Sequence, residues 1–113
     1  MKKDIKIFIR HILESIELIE NYLENKSKED FFSSTMLQDS VIRRIEIIGE
    51  AVKNLTNSFK KDHPDIPWNE IGGMRDILIH QYFGVDLNLT WEIAMKDIPE
   101  LKTKLSKIMK NMD

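Results

Sequence analysis

Apolar residues recur along the first part of the chain at alternating intervals of four and three: Ile5, Ile9, Ile12, Ile16, Ile19 and Leu23, with Phe8 and Leu13 widening the stripe. On a 3.6-residue repeat these positions share one side, which predicts an amphipathic helix with a bundle-like seam. The polar run Asn25-Lys26-Ser27-Lys28 ends it, and Phe31-Phe32 is placed to lid the core before the next element. A second helix is predicted from Ser33-Ser34-Thr35, whose hydroxyls can cap it, through Leu37, Val41, Ile45, Ile48, Val52, Leu55 and Phe59. Ile42, Ile47 and Ala51 lie off that stripe. Two apolar faces on one helix point to a partner subunit as well as an internal core.

Glycine and proline punctuate the rest of the chain. Gly49 sits inside the second helix, where glycine costs roughly 0.5–1 kcal/mol relative to alanine unless it lets another backbone approach, so close helix packing is expected there. Lys60 to Pro67 reads as a loop with two prolines, after which Pro67-Trp68-Asn69-Glu70 can restart a helical turn. Gly72-Gly73 reads as a tight turn into a helix from about Met74 to Tyr82, which Gly84 stops. The last helix starts near Asn88-Leu89-Thr90-Trp91 and carries Ile98, Leu101, Leu105, Ile108 and Met112. Pro99 either kinks it or marks a restart with Asp97 as N-cap and Glu100 in a capping-box position. With no strand alternation, repeat or low-complexity segment, the fold class is all-α: a four-to-five-helix up-and-down bundle forming one domain over residues 1–113.

The 113 residues, 42% of them apolar, suffice for a small core whose stability would gain from a homodimer. The absence of cysteine removes disulfides and thiolate metal sites and, with 32% charged residues, fits a reducing cytoplasmic interior. No apolar run of signal-peptide or membrane-span length is present, so neither is expected. A net charge of −2 and a pI near 5.9 have the wrong sign for holding nucleic acid by long-range attraction, so any RNA contact must be local. The scattered basic residues, including the lysines from Lys102 to Lys110, are read as solvated helix faces.

Candidate chemistry concentrates in Met74 to Gly84, where Arg75, His80 and Tyr82 form the pattern R-x-x-x-x-H-x-Y. Arginine can neutralise a phosphate bidentately and stays protonated, while histidine titrates near neutrality and passes protons either way. Cleavage of RNA through its own 2′-hydroxyl needs those two functions and neither metal nor cofactor. His80 would act as general base on the 2′-hydroxyl or general acid to the 5′-oxygen, and Arg75 would stabilise the phosphorane, leaving a 2′,3′-cyclic phosphate. Asp76, four residues before His80 on a regular helix, would orient its ring. Tyr82 could bond the phosphate, stack on a base or accept a modifying group. Arg75 and His80, however, point about 140° apart on an ideal helix. The arginine can bend back, the helix can deform before Gly84, or two subunits can each supply one Arg75 and one His80 to a shared cleft; the second apolar face favours the last.

The motif, together with Gln38-Asp39-Ser40-Val41-Ile42-Arg43-Arg44-Ile45-Glu46-Ile47-Ile48-Gly49-Glu50-Ala51, His63-Pro64-Asp65-Ile66-Pro67-Trp68 and Tyr82-Phe83-Gly84-Val85-Asp86, closely resembles the HepT-like branch of the HEPN superfamily over nearly the whole chain. The resemblance implies a small all-helical dimer, the toxin half of a HEPN/MNT toxin–antitoxin pair, acting as a metal-independent ribonuclease. It implies Arg75 and His80 as the catalytic pair and Asp76 as the polar residue after the arginine. Tyr82 corresponds to the tyrosine that a minimal nucleotidyltransferase partner adenylylates to silence the toxin. The rival reading is a non-catalytic helical dimer that serves as binding platform or modification substrate of that partner.

Other residues read more plainly. His11 and His63 have no ligand spacing with His80, so no metal site is expected. Glu46 and Glu50 are one turn apart but flanked by Arg43 and Lys53, which reads as salt-bridged surface. Trp68 and Trp91 read as core anchors.

Overall fold

The structure, a computed structural model, describes residues 2–80 and 84–112, without the side chains of residues 2–4, 77, 79, 80 and 85. The first periodic stripe forms α1 (Lys2–Leu23), and Ile9, Ile12 and Ile16 on it are fully buried. Helix α2 (Lys28–Phe32) follows, capped by Ser27, whose hydroxyl accepts from the Asp30 amide while the Asp30 carboxylate accepts from the Ser27 amide. Those hydrogen bonds hold the Asp30 carboxyl below its ordinary range. Phe31 is the expected lid: it is fully buried and packs on Trp91 with ring centroids 5.5 Å apart. Gln38 ties α2 down by donating through Nε2 to the Phe31 and Phe32 carbonyls at 3.0 and 3.1 Å.

Helix α3 (Thr35–Lys53) is capped by Ser34 and packs along α1, with Val41, Ile45 and Ile48 fully buried between them. It does not run on to Phe59 as the periodicity predicts. Asn54 closes it, donating through Nδ2 to the Glu50 carbonyl, and Thr56 caps a separate α4 (Asn57–Asp62) by accepting from the Phe59 amide. Leu55 and Phe59 keep the spacing because both are buried on either side of the turn.

Helix α5 (Trp68–Gly72) comes after the proline loop, anchored by Trp68, whose indole donates to the carbonyls of Lys60 and His63. Gly73 turns the chain directly into α6 (Met74–Leu78). Two short strands, β1 (Ile79–His80) and β2 (Gly84–Val85), pair antiparallel, with His80 opposite Gly84. Then α7 (Leu87–Glu92), a π-helical turn over Ile93–Asp97 and α8 (Ile98–Lys110) run as one interrupted rod. Asp97 is helical and makes no capping bond, so the helix does not restart there: the ladder widens into a π turn just before Pro99, which has no N–H to give. The architecture is the expected all-α bundle, and among the described residues no helix is long and apolar enough to cross a membrane.

Candidate active site

The site is positioned by a backbone contact. A Cβ on Gly49 would lie 3.3 Å from the carbonyl oxygens of both Ile71 and Gly72, so α5 packs on α3 at a distance only a bare Cα allows. The turn at Gly73 then lays α6 across α3 one turn before Gly49, where Glu46 projects. Arg75, the first polar side chain of α6, donates through Nε to Glu46 Oε2 at 2.8 Å. Its Nη1 lies 3.6 Å from Asp76 Oδ1, and Arg43 Nη1 approaches Glu46 Oε1 at 4.0 Å from the same helix. The Arg75 side chain stays 58% exposed while that of Glu46 is 25% exposed, so the guanidinium is oriented from beneath and open above.

Arg75, Arg43 and Glu46 border an open groove of about 440 Å³, with Phe8, Ile47 and Ala51 along its apolar side. His11 of α1 borders the same groove, although its place in the chain gives no hint of this. Among the described residues no group of three or more His, Asp or Glu side chains is arranged to hold a metal ion.

The helix predicted to Tyr82 ends at Leu78, and His80 lies on β1. The stop has a tertiary cause. The Leu78 carbonyl is taken at 2.8 Å by the amide of Asp86, whose carboxylate caps α7 by accepting from Leu89 N at 3.0 Å. Gly84 does not terminate a helix. It sits opposite His80 at φ +83°, a left-handed conformation that glycine takes without strain. The helix deforms before Gly84, so the 140° separation of an ideal helix no longer applies to Arg75 and His80. The i,i+4 placement of Asp76 against His80 fails with it, since β1 breaks the helical register between them; Asp76 is exposed and faces Arg75. The His80 side chain and all of Tyr82 lie outside the described residues.

A family model described as "Ribonuclease HepT-like" matches residues 12–108. The chain belongs to the HepT-like ribonuclease family. Similar proteins include a "Gamma-glutamylcyclotransferase and putative RNase" of Methanocaldococcus jannaschii, 61% identical over the whole chain and 51% of that protein's length. A "Probable ribonuclease HepT" of Thermococcus cleftensis is 49% identical over 97% of this chain and all of its own. A "Putative RNase" of M. jannaschii is 44% identical over 99% of this chain and 93% of its own. The chain thus spans about half the length of the first of these and nearly the full length of the other two. No solved structure matches significantly.

In this HepT-like chain, Glu46 keeps the pairing with Arg43 that the sequence suggests, but it has a second partner that sequence reasoning misses. Its local partner Arg43 suggested a surface pair, whereas its shorter bond reaches Arg75, 29 positions away. The available signal was Gly49: a glycine that admits another backbone one turn from Glu46 marks where α3 meets the motif.

Proposed function

We propose that this HepT-like chain, a single domain over residues 1–113, is a metal-independent endoribonuclease that cleaves RNA by attack of the 2′-hydroxyl on its own phosphate. The observation that carries the reading is the Arg75–Glu46 hydrogen bond. It fixes a half-exposed guanidinium on the rim of a groove, five residues before a histidine held on β1 at the other end of the motif. An incoming phosphodiester takes the open edge of Arg75 in charge-assisted hydrogen bonds, and Arg75 stabilises the phosphorane. His80 moves the proton at the 2′- or 5′-oxygen, and Asp76 adjusts the charge around Arg75. The names of the relatives support ribonuclease chemistry.

The working form in this reading is a homodimer with a composite cleft. Ile42 and Ile47 of α3 remain only half-buried, Ile47 on the wall of the groove, and Met36 at the start of the same helix is 79% exposed, which leaves apolar surface along α3 for a second copy. The physiological setting is a HEPN/MNT toxin–antitoxin pair in the cytoplasm, where a minimal nucleotidyltransferase adenylylates Tyr82 and its phosphates block RNA by charge and by bulk.

The test is cleavage of total RNA in EDTA by the wild type, Arg75→Ala and His80→Ala, with end-group analysis for a 2′,3′-cyclic phosphate. Each substitution is expected to lower the rate at least ~100-fold. Wild type as inert as His80→Ala would overturn the enzymatic reading and leave the non-catalytic platform. Intact mass after incubation with ATP and the partner nucleotidyltransferase should rise in AMP steps for the wild type and stay fixed for Tyr82→Phe.

A further inference from the structure

A second concavity shares no lining residue with the groove: Met74 of α6 borders it, where Arg75 borders the groove. It opens between α5 and the C-terminal rod, has a volume of about 200 Å³, and its floor is formed by the buried side chains of Ile66, Ile71, Met74, Ile93 and Leu101. Its rim is acidic. Glu70 of α5, Asp97 of the π turn and Glu100 of α8 border it, all exposed, and none has an ion-pair partner among the described residues. The one cation among the lining residues, Lys104, is engaged elsewhere than on these carboxylates: its Nζ donates to the Asp65 carbonyl at 2.7 Å.

The charges around Asp97 are mostly of its own sign. Partial burial, with Glu100, Glu92 and Glu70 around it and only Lys96 opposing them, raises its carboxyl above the ordinary range. The pocket therefore joins an apolar floor to three rim carboxylates that form no ion pair among the described residues. The π turn contributes both Ile93 and Asp97, and such turns recur where a helix is shaped for a ligand. Three carboxylates on the rim repel phosphate, which argues against RNA as the occupant.

We propose that this pocket docks a segment of a partner protein that inserts one apolar side chain flanked by lysine or arginine. The apolar group fills the floor, and the flanking cations pair with Glu70, Asp97 and Glu100. Such a contact places the partner under Met74, the residue beside Arg75, without touching the groove.

The test is a methyl-detected NMR titration of the full chain, labelled at isoleucine, leucine and methionine, with a short acetylated and amidated Leu/Lys/Ala peptide. The same peptide with glutamate for lysine is the control. The expected result is shifts at the Ile93, Leu101 and Met74 methyls, with the lysine peptide binding at least ~10-fold tighter than the glutamate peptide. In Glu70→Gln/Asp97→Asn/Glu100→Gln, a surface variant that keeps the floor, that preference should vanish. Equal binding of both peptides, an unchanged preference in the amide variant, or shifts confined to α1 and α3 would overturn the proposal. So would the same shifts appearing on concentrating the protein alone, which would make the occupant a second copy, or on adding single-stranded RNA.

Discussion

The α1/α3 pair and the segment from Met74 to Asp86 are built on different principles. In the pair, 22 and 19 residues of helix lie face to face, and the residues between them, Ile9, Ile12, Ile16, Ile45 and Ile48, are fully buried. Their adhesion is distributed over many side chains, each contributing on the order of 1.5–3 kcal/mol by burial. The motif segment has a five-residue helix and a two-rung ladder. Among its described side chains only Met74 and Leu78 are anchored in the core. What holds it is a short set of specific bonds: the Asp86 amide to the Leu78 carbonyl, the Asp86 cap, and Arg75 on Glu46. The pair resists unfolding, while the segment presents charge and depends on the pair for its position.

Substitutions can set that contrast on a scale. The largest effect on stability is expected from Ile16→Ala or Ile45→Ala, each costing about 2–5 kcal/mol in chemical denaturation while RNA cleavage per folded molecule is retained. A cost below about 1 kcal/mol would mean the pair is not the foundation it is taken for. Gly49→Ala tests the junction of the two regions. The added methyl meets two backbone carbonyls at 3.3 Å, so stability should fall by about 1 kcal/mol despite alanine's better helix propensity, and activity should fall with it as α6 is displaced. A variant as active and stable as wild type would show that the close approach does not position Arg75.

Glu46→Gln should separate the regions in the other direction. Its thermal denaturation should stay within about 0.5 kcal/mol of wild type, as for an exposed pair, while cleavage drops roughly tenfold because Arg75 loses its orientation. Loss of both together would erase the distinction. The smallest effect is expected at Asp97. Its folded-state carboxyl titrates above the ordinary 3.8, so the ionised form weighs against folding at neutral pH. Asp97→Asn should therefore be slightly more stable than wild type near pH 7, with the gain shrinking as pH falls through the raised value. It should disappear below 3.8, where the aspartate is protonated folded or unfolded. A gain that persists at low pH would have to come from something other than charge.

The same contrast decides what the sequence reveals. Long buried stripes advertise themselves, and α1, α3 and α8 lie where the spacing puts them. The break at Asn54-Leu55-Thr56 is hidden because Leu55 and Phe59 continue the period through the turn, and the caps on either side are the weaker signal. The end of α6 is hidden for another reason: no glycine or proline stands between Met74 and Phe83, and the Leu78 carbonyl is taken by the amide of Asp86, eight residues on. Arg75 stands out in the sequence as a candidate phosphate ligand but Glu46 does not stand out as its partner, because the pairing exists only once α5 has docked on Gly49. Asp97 and Glu100 matched a capping box by type, yet the box that forms is Ser27 with Asp30, where the chain leaves a loop and not a continuing rod.

The Arg75–Glu46 bond also bears on how such a site would meet a polyanion. Arg75 already carries a counterion on its Nε, so in the proposed reading a phosphodiester shares the guanidinium with Glu46 and does not displace it. Part of the arginine's charge is spent before RNA arrives, which suits a chain whose net charge is −2. Arg75 then works as a pre-aimed fork, gripping phosphate by geometry more than by net attraction.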